Sequence, residues 1–258
     1  MKVITWNVNS VRQRLARVIA LLNRHEPDVL CLQEIKVTDD AFPLMEVTAA
    51  GYQCVTHGQK AYNGVAILAR EPLHDVSLGF RGDPVPEEAR VVSATVGDLR
   101  VVNAYVVNGK STTDPAYQIK LRWLDALADW LATMAGPLLV MGDFNVAPTD
   151  LDVYDPALWH GQNLASEPER ERIRRLEGLG LIDLARAHAG DTPGPYTYWD
   201  YRAGAFHKGW GLRIDLMLGS ADVAARLVSV EVDREERKPT AGEGKPSDHA
   251  PLILTLRD

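Results

Sequence analysis

Asp143 and Asn145 close the stretch Leu138-Leu139-Val140-Met141-Gly142-Asp143-Phe144-Asn145. Four apolar residues in a row read as a strand buried on both faces. A carboxylate at the mouth of such a strand is costly to desolvate unless a metal, a substrate or a hydrogen-bond network compensates it. Alone, the octet reads as a polar turn after a core strand. Other apolar runs end or begin the same way. Asn7 closes Lys2 to Trp6, Gln33-Glu34 closes Val29 to Leu32, Asp215 opens Leu216-Met217-Leu218, and Asp248-His249 precedes Leu252 to Leu256. Tyr105 ends Val101-Val102-Asn103-Ala104. Singly, Glu34 suits a surface acid, Asn7 a turn, Tyr105 a core tyrosine and His249 a loop ion pair; their coincidence favours a site.

The chemistry is that of oxygen donors, with neither a cysteine cluster nor paired histidines, which suits Mg²⁺ or Mn²⁺ rather than structural zinc. Mg²⁺ keeps several waters and takes one or two carboxylates plus substrate oxygens, so Glu34 suffices as its main anchor. A metal, a carboxylate able to orient water and an Asp–His pair describe in-line phosphodiester hydrolysis.

The elements that must position these groups follow from periodicity. Lys2 to Trp6, then Val11, Leu15, Val18, Ile19 and Leu22 at helical spacing, then Val29 to Leu32 make a strand–helix–strand unit with parallel strands. Asn9 or Ser10 is the expected N-cap. A short helix is expected over Asp39 to Ala50, and strands over Tyr52 to His57, Gly64 to Ala69, Val76 to Phe80, Arg90 to Val96 and Leu99 to Val107. Asp114 to Ala135 is the longest helix, with Tyr117, Leu121, Leu124, Ala128 and Leu131 as its core stripe. Glu169 to Leu179 is a charged helix, 147–168 is loop, and Arg213 to Leu218, Leu227 to Val232 and Leu252 to Leu256 are strands. Asn7, Glu34 and Asp143 lie at carboxyl ends of strands, and Asp215 and His249 at starts. The five gather on one edge if the last two strands run antiparallel to the first three.

With 46% hydrophobic and 24% charged residues over 258 positions, the chain reads as one globular domain. It shows no membrane-spanning run and no signal peptide pattern. Cys31 and Cys54 make no disulfide framework; Cys31 is expected as a buried free thiol. A cytoplasmic location is expected. The net charge of −7 does not exclude DNA, because carboxylates gathered around a cation inflate the count.

Trp6-Asn7-Val8-Asn9-Ser10-Val11-Arg12, Leu32-Gln33-Glu34-Ile35-Lys36, Gly142-Asp143-Phe144-Asn145, Arg213-Ile214-Asp215-Leu216 and Pro246-Ser247-Asp248-His249-Ala250-Pro251 together resemble the exonuclease III family of apurinic/apyrimidinic (AP) endonucleases. The resemblance runs over essentially the whole chain, with Pro148-Thr149-Asp150-Leu151-Asp152 adding to it. It implies an α/β (α+β) four-layer sandwich of two mixed sheets flanked by helices, the endonuclease/exonuclease/phosphatase fold, over residues 1–258. It implies Mg²⁺-dependent cleavage 5′ to abasic sites in duplex DNA, with Mn²⁺ as a substitute, 3′→5′ exonuclease and removal of 3′-blocking groups. A monomer acting on abasic sites and 3′ ends is expected.

Carried over by position, Asn7, Glu34, Asp143, Asn145, Asp248 and His249 form the metal's surroundings, with Glu34 the main ligand. Asp143 handles the proton of the attacking water or leaving oxygen, Asn145 positions it, Asp215 orients His249, and His249 and Tyr105 meet the phosphate. Arg12, Lys36, Asn108, Lys110 and Lys120 flank the site for phosphate contacts, with solvated surface cation the competing reading of Lys120. Phe206, Trp210 and Leu212 resemble the segment lining the abasic-sugar pocket. Val106-Val107-Asn108-Gly109 stands where the family commonly has a proline-containing turn, and Asn163 to Arg170 departs from its Pro-Glu-Glu-Arg pattern. Both bear on the balance of endonuclease to exonuclease. The alternatives are a same-fold phosphoesterase acting on RNA or a small phosphoester, and a non-catalytic DNA-binding protein. The latter predicts broken catalytic positions, and none is broken.

Overall fold

The structure is a computed structural model describing residues 1–257. β1 (Lys2–Asn7), α1 (Val11–His25) and β2 (Val29–Gln33) form the strand–helix–strand unit, with β1 and β2 parallel. Next come α2 (Leu44–Ala49), β3 (Gln53–His57), β4 (Val65–Ala69), β5 (His74–Leu78), β6 (Val91–Val96) and β7 (Leu99–Tyr105). α3 (Pro115–Leu131) then crosses over to β8 (Leu138–Asp143), parallel to β7. The remainder is α4 (Pro156–Trp159), α5 (Glu167–Glu177), β9 (Ile182–Asp183), α6 (Leu184–Ala189) and α7 (Ala205–Lys208), then β10 (Asp215–Gly219), α8 (Ala221–Ala224), β11 (Leu227–Val232) and β12 (Leu252–Leu256).

The strands make two six-stranded sheets, ordered β11-β12-β1-β2-β4-β3 and β5-β6-β7-β8-β10-β9. Each has a parallel pair at its centre and antiparallel neighbours outside. Strand alternation builds the layers. Val3, Val29, Cys31, Val101, Leu139 and Met141 point between the sheets, whereas Ile4, Leu30 and Leu32 face α1, and Val102 and Val140 face α3 and α5. The result is helix–sheet–sheet–helix. Cys31 is buried and free. Directly beneath the site a polar pair ties the sheets together: Gln33 Nε2 donates to Asn103 Oδ1 (2.7 Å) and Thr5 Oγ1 (2.8 Å).

β10 is antiparallel to β8 and β12 to β1, so the starts of β10 and β12 meet the ends of β8 and β1. Several boundaries differ from the sequence expectation. Asp39 to Ala50 divides into a 3₁₀ turn and α2, because Pro43 holds Phe42 extended. The strand expected from Val76 lies at His74–Leu78, with an irregular register between His74 and Ser77. Ser10 occupies the N-cap position of α1 without a side-chain cap bond. Its N–H instead donates to the Glu34 carbonyl at 2.7 Å, tying the helix start to the end of β2.

Gly142 has φ +138°, and a Cβ there would stand 2.0 Å from the Ala104 carbonyl oxygen across the β7–β8 ladder. Backbone must move to admit any side chain. Gly142→Ala is therefore expected to lower stability by about 2–4 kcal/mol, measurable as an earlier urea midpoint with an unchanged slope.

Candidate active site

The structure brings Asn7, Glu34, Tyr105, Asp143, Asn145, Asp215, Asp248 and His249 to one edge of the two sheets. Asn7, at the end of β1, uses one amide group to bridge them: its Nδ2 donates to Glu34 Oε1 (2.8 Å) and to Asp143 Oδ2 (2.9 Å). Glu34 and Lys36 both take positive φ, 51° and 56°, as the chain leaves β2. That bend lets Lys36 Nζ reach Glu34 Oε2 at 2.8 Å and Asn9 Oδ1 at 2.6 Å.

On the other sheet, Asp143 Oδ1 accepts the Asn145 backbone N–H at 2.9 Å. His249 Nδ1 pairs with Asp215 Oδ2 at 2.8 Å, and its Nε2 stands 3.7 Å from Asp143 Oδ2. The Trp6 indole donates to the His249 carbonyl at 3.1 Å, so β1 also sets the histidine's place. Asp248 accepts from Asn9 Nδ2 at 3.0 Å on the Lys36 side of the site. Asn108 Nδ2 donates to Asn145 Oδ1 at 2.8 Å. Tyr105 lies opposite Asp143 in the β7–β8 register, with Arg90 over its ring.

The electrostatics follow from burial and crowding. Burial pushes the Asp143 carboxyl up to about 7; the charge of His249 opposes this, and Asp215 and Glu34 add to it. For His249, burial would lower the imidazole, but Asp215, Asp143 and Asp248 lift it to about 10, so it is a cation at neutral pH. Burial would likewise raise Glu34, yet Lys36, the Asn7 amide and His249 bring it below its ordinary value. Burial, with Glu34 and Asp143 close by, raises the Tyr105 phenol well above its usual range and keeps it a donor. One site thus holds a poised acid, a fixed cation and a fixed anion.

Ligand atoms of Asp143, Asp215 and His249 lie within 4.8 Å of one another. Asp215 Oδ1 is buried without a hydrogen-bond partner. Four carboxylates, from Glu34, Asp143, Asp215 and Asp248, gather around the charges of Lys36 and His249. An orphaned anionic oxygen and an oxygen-rich donor set with excess negative charge fit a hard divalent cation.

The residues expected to contact DNA are scattered. Lys36 is inside the site, where it pairs with Glu34. Arg12 is exposed beside a cleft formed with Phe42, Leu44 and Met45. Asn108 and Lys110 line a groove of about 610 Å³ with Trp159, Asn163, Tyr198 and Arg202. Lys120 is fully buried and paired with Glu169, which excludes both readings of it as a surface cation. Phe206 packs edge-on against Trp199 (5.2 Å) with Arg237 over its ring. Trp210 stacks on Tyr154 with Lys208 above it, and Leu212 is buried and bridged to Tyr198.

Tyr198, absent from the sequence expectation, is the aromatic of this loop that meets the site: its ring centroid is 5.0 Å from that of His249 and the two residues form a β-bridge. Tyr196, Tyr198 and Trp199 crowd one short segment, and sequence spacing cannot say which of them turns inward. A second unforeseen feature underlies Asp215. The Arg213 guanidinium, fully buried, bonds Asp152 Oδ1 (2.7 Å) and Asp183 Oδ2 (2.8 Å), fastening the loop after β8 to the start of β10.

With this geometry in hand, residues 4–249 match the Endonuclease/Exonuclease/phosphatase family. The chain is 34% identical over 266 residues to exodeoxyribonuclease III of Haemophilus influenzae, covering 98% of each. It superposes with TM-score 0.95 at 42% identity on the 3′ phosphatase NExo from Neisseria bound to product DNA hairpin, covering 100% of this chain and 99% of that one. An AP endonuclease from Archaeoglobus fulgidus superposes with TM-score 0.93 at 36% identity, covering 100% of both.

Proposed function

This chain belongs to the Endonuclease/Exonuclease/phosphatase family, and from that premise we propose that it is a Mg²⁺-dependent DNA-repair phosphodiesterase. It cleaves duplex DNA 5′ to abasic sites, degrades strands 3′→5′ and clears blocked 3′ ends. The observation that carries the reading is the Asn7 amide joining Glu34 of one sheet to Asp143 of the other, beside the His249–Asp215 pair. Relatives named for AP-endonuclease, exonuclease and 3′-phosphatase activity support the same substrate class. Among the described residues no helix is long and apolar enough to cross a membrane. We place the enzyme in the cytoplasm as a monomer.

Glu34 and Asn7 are the principal residues for holding the metal, with Asp143, Asn145, Asp248 and His249 around them. When bound, Mg²⁺ supplies charge stabilisation at the phosphoryl oxygens. The chain's own residues do the rest. Asp143, its carboxyl raised to about 7, exchanges a proton at neutral pH with a water or an oxygen of the scissile phosphate. Imidazolium His249, its ring fixed through Nδ1 by Asp215, presents Nε2 as a charged donor to a phosphate oxygen. The protonated phenol of Tyr105 adds a second donor. Asn145 holds Asp143 through its N–H. Arg12, Lys36 and Lys110 serve backbone phosphates, which position DNA without reading its sequence, while the Asn108 amide is spent on Asn145. Beside His249, Tyr198 offers an apolar wall for an extruded sugar, backed by the buried Leu212, while Phe206 and Trp210 shape the loop behind them.

The test is nicking of a duplex oligonucleotide carrying a single abasic analogue. Nicking is expected with Mg²⁺, is expected to disappear in excess EDTA, and is expected to return on adding Mg²⁺ or Mn²⁺. A native protein that shows no metal-dependent nicking overturns the reading.

A further inference from the structure

Lys120 sits three residues after Tyr117 and four before Leu124, within the buried stripe of α3 rather than on its solvent face. A lysine there must find partners for its whole ammonium group. Its Nζ donates to the Asn145 carbonyl (2.6 Å), to the Asn108 carbonyl (3.1 Å) and to Glu169 Oε1. Three donors meet three acceptors, so nothing is left for a DNA phosphate. Glu169 is fixed in turn: the Leu164 and Ser166 N–H groups donate to it at 3.0 Å each, along with the Ser166 hydroxyl.

Asn145 is where this cluster touches the chemistry. It has φ 51°, a left-handed conformation that a non-glycine residue adopts at a cost. Its N–H donates to Asp143 Oδ1, its carbonyl accepts from Lys120, its Nδ2 donates to Val106 O (3.0 Å) and its Oδ1 accepts from Asn108. Turning the Asn145 backbone would release Lys120 and Asp143 together. The loop carrying Asn108 closes on the same lysine: a Cβ at Gly109 would be 3.1 Å from Lys120 Cδ. Three segments, after β7, after β8 and at the start of α5, therefore converge on one ammonium.

We propose that Lys120, fixed by Glu169, is a positioning residue that sets Asn145, braced by the Asn108 amide, beside Asp143. It acts on the chemical step and not on DNA binding. The inference rests on the nuclease reading for its kinetic test but not for its structural one. A buried ion pair is commonly no more stabilising than a packed apolar pair, so stability and positioning can be separated by removing both charges at once.

The experiment uses the double variant Lys120→Met with Glu169→Leu. A cooperative thermal transition is expected to persist, and affinity for abasic duplex in EDTA to stay within about threefold, while kcat falls about 10- to 100-fold. Adding Asn145→Ala to that variant is expected to bring the total loss to about the 100-fold that Asn145→Ala alone costs in the native protein, well short of the product of the two losses. Native kcat in the folded double variant, a loss confined to DNA affinity, or losses that multiply would each overturn the proposal. Solvent exchange of the Asn145 and Asn108 side-chain amides, followed by NMR, needs no turnover; it is expected to be slow in the native protein and faster in the variant. Unchanged exchange overturns the inference whatever the activity, whereas a native protein that nicks no abasic DNA counts against the nuclease reading alone. If the double variant loses its cooperative transition, the isosteric Glu169→Gln takes its place, with a kcat fall of about three- to tenfold.

Discussion

Asp143→Asn is expected to lower kcat for nicking abasic duplex DNA by about 10³- to 10⁴-fold, with KM near the native value. The amide has the carboxylate's shape but cannot take up or release its proton. Both oxygens of Asp143 accept hydrogen bonds, from the Asn145 N–H and from Asn7 Nδ2, so an amide must also set a donor against a donor on one side. Stability moves the other way. The native carboxyl is buried among Glu34 and Asp215, and His249 only partly offsets that crowding. Removing one charge is therefore expected to leave the melting temperature unchanged or raise it, as is typical where like charges are gathered for chemistry. His249→Asn is expected to share the kinetic loss, because it removes the cation presented by Nε2. Robust cleavage by Asp143→Asn would remove this carboxylate from the proton transfer.

Asp152→Asn is expected to lower stability by about 3 kcal/mol at neutral pH, read from a denaturant melt. Asp152 is fully buried, and Oδ1 meets the Arg213 and Arg186 guanidiniums. Oδ2 accepts from the Thr149 N–H (2.9 Å) and hydroxyl (2.7 Å). Substitution leaves Arg213 with Asp183 as its only carboxylate partner, which keeps the cost at the lower end for a broken buried pair. Burial would raise the Asp152 carboxyl, but Arg213, Thr149 and Arg186 bring it below its ordinary 3.8. A carboxyl lowered in the folded state contributes stability that is complete above the unfolded value and lost as pH falls through the folded one. The native protein is therefore expected to lose this contribution as pH drops below 3.8, and Asp152→Asn to flatten that part of its acid titration. An acid-unfolding profile unchanged in the variant would show that Asp152 carries no such charge.

Arg213 shows how the sequence can mark a residue without revealing its work. It belongs to the stretch Arg213-Ile214-Asp215-Leu216 that carried the family resemblance, yet its partners lie 61 and 30 positions earlier in the chain. Lys120 was harder. It falls on a helix whose apolar stripe was plain, but charge suggested solvent, and only the approach of α5 and two loops makes that position interior. The segment of Phe206, Trp210 and Leu212 was marked by the family resemblance, while the approach of Tyr198 to His249 depended on backbone turns with no periodicity to reveal them.

By itself the sequence determined most of the strands and the longer helices, while the direction in which the last strands run came from their pairing. Apolar runs of period two or fully buried character, a helical stripe at 117–131 and the breaks at Gly136-Pro137 follow from local chemistry acting within a few residues. It also determined that acids, amides and a histidine stand at strand termini, since covalent order puts them there. Tertiary structure decided everything that depends on one chain segment excluding water from another. It put Asn7 between Glu34 and Asp143, lifted His249 and Asp143 away from their ordinary titration ranges, and turned Lys120 and Arg213 inward to hold loops. Those effects come from desolvation and from contacts between residues far apart in the chain, 136 positions between Asn7 and Asp143 and 243 between Trp6 and His249. Neither has a local signature, because both arise only when the two sheets are packed face to face.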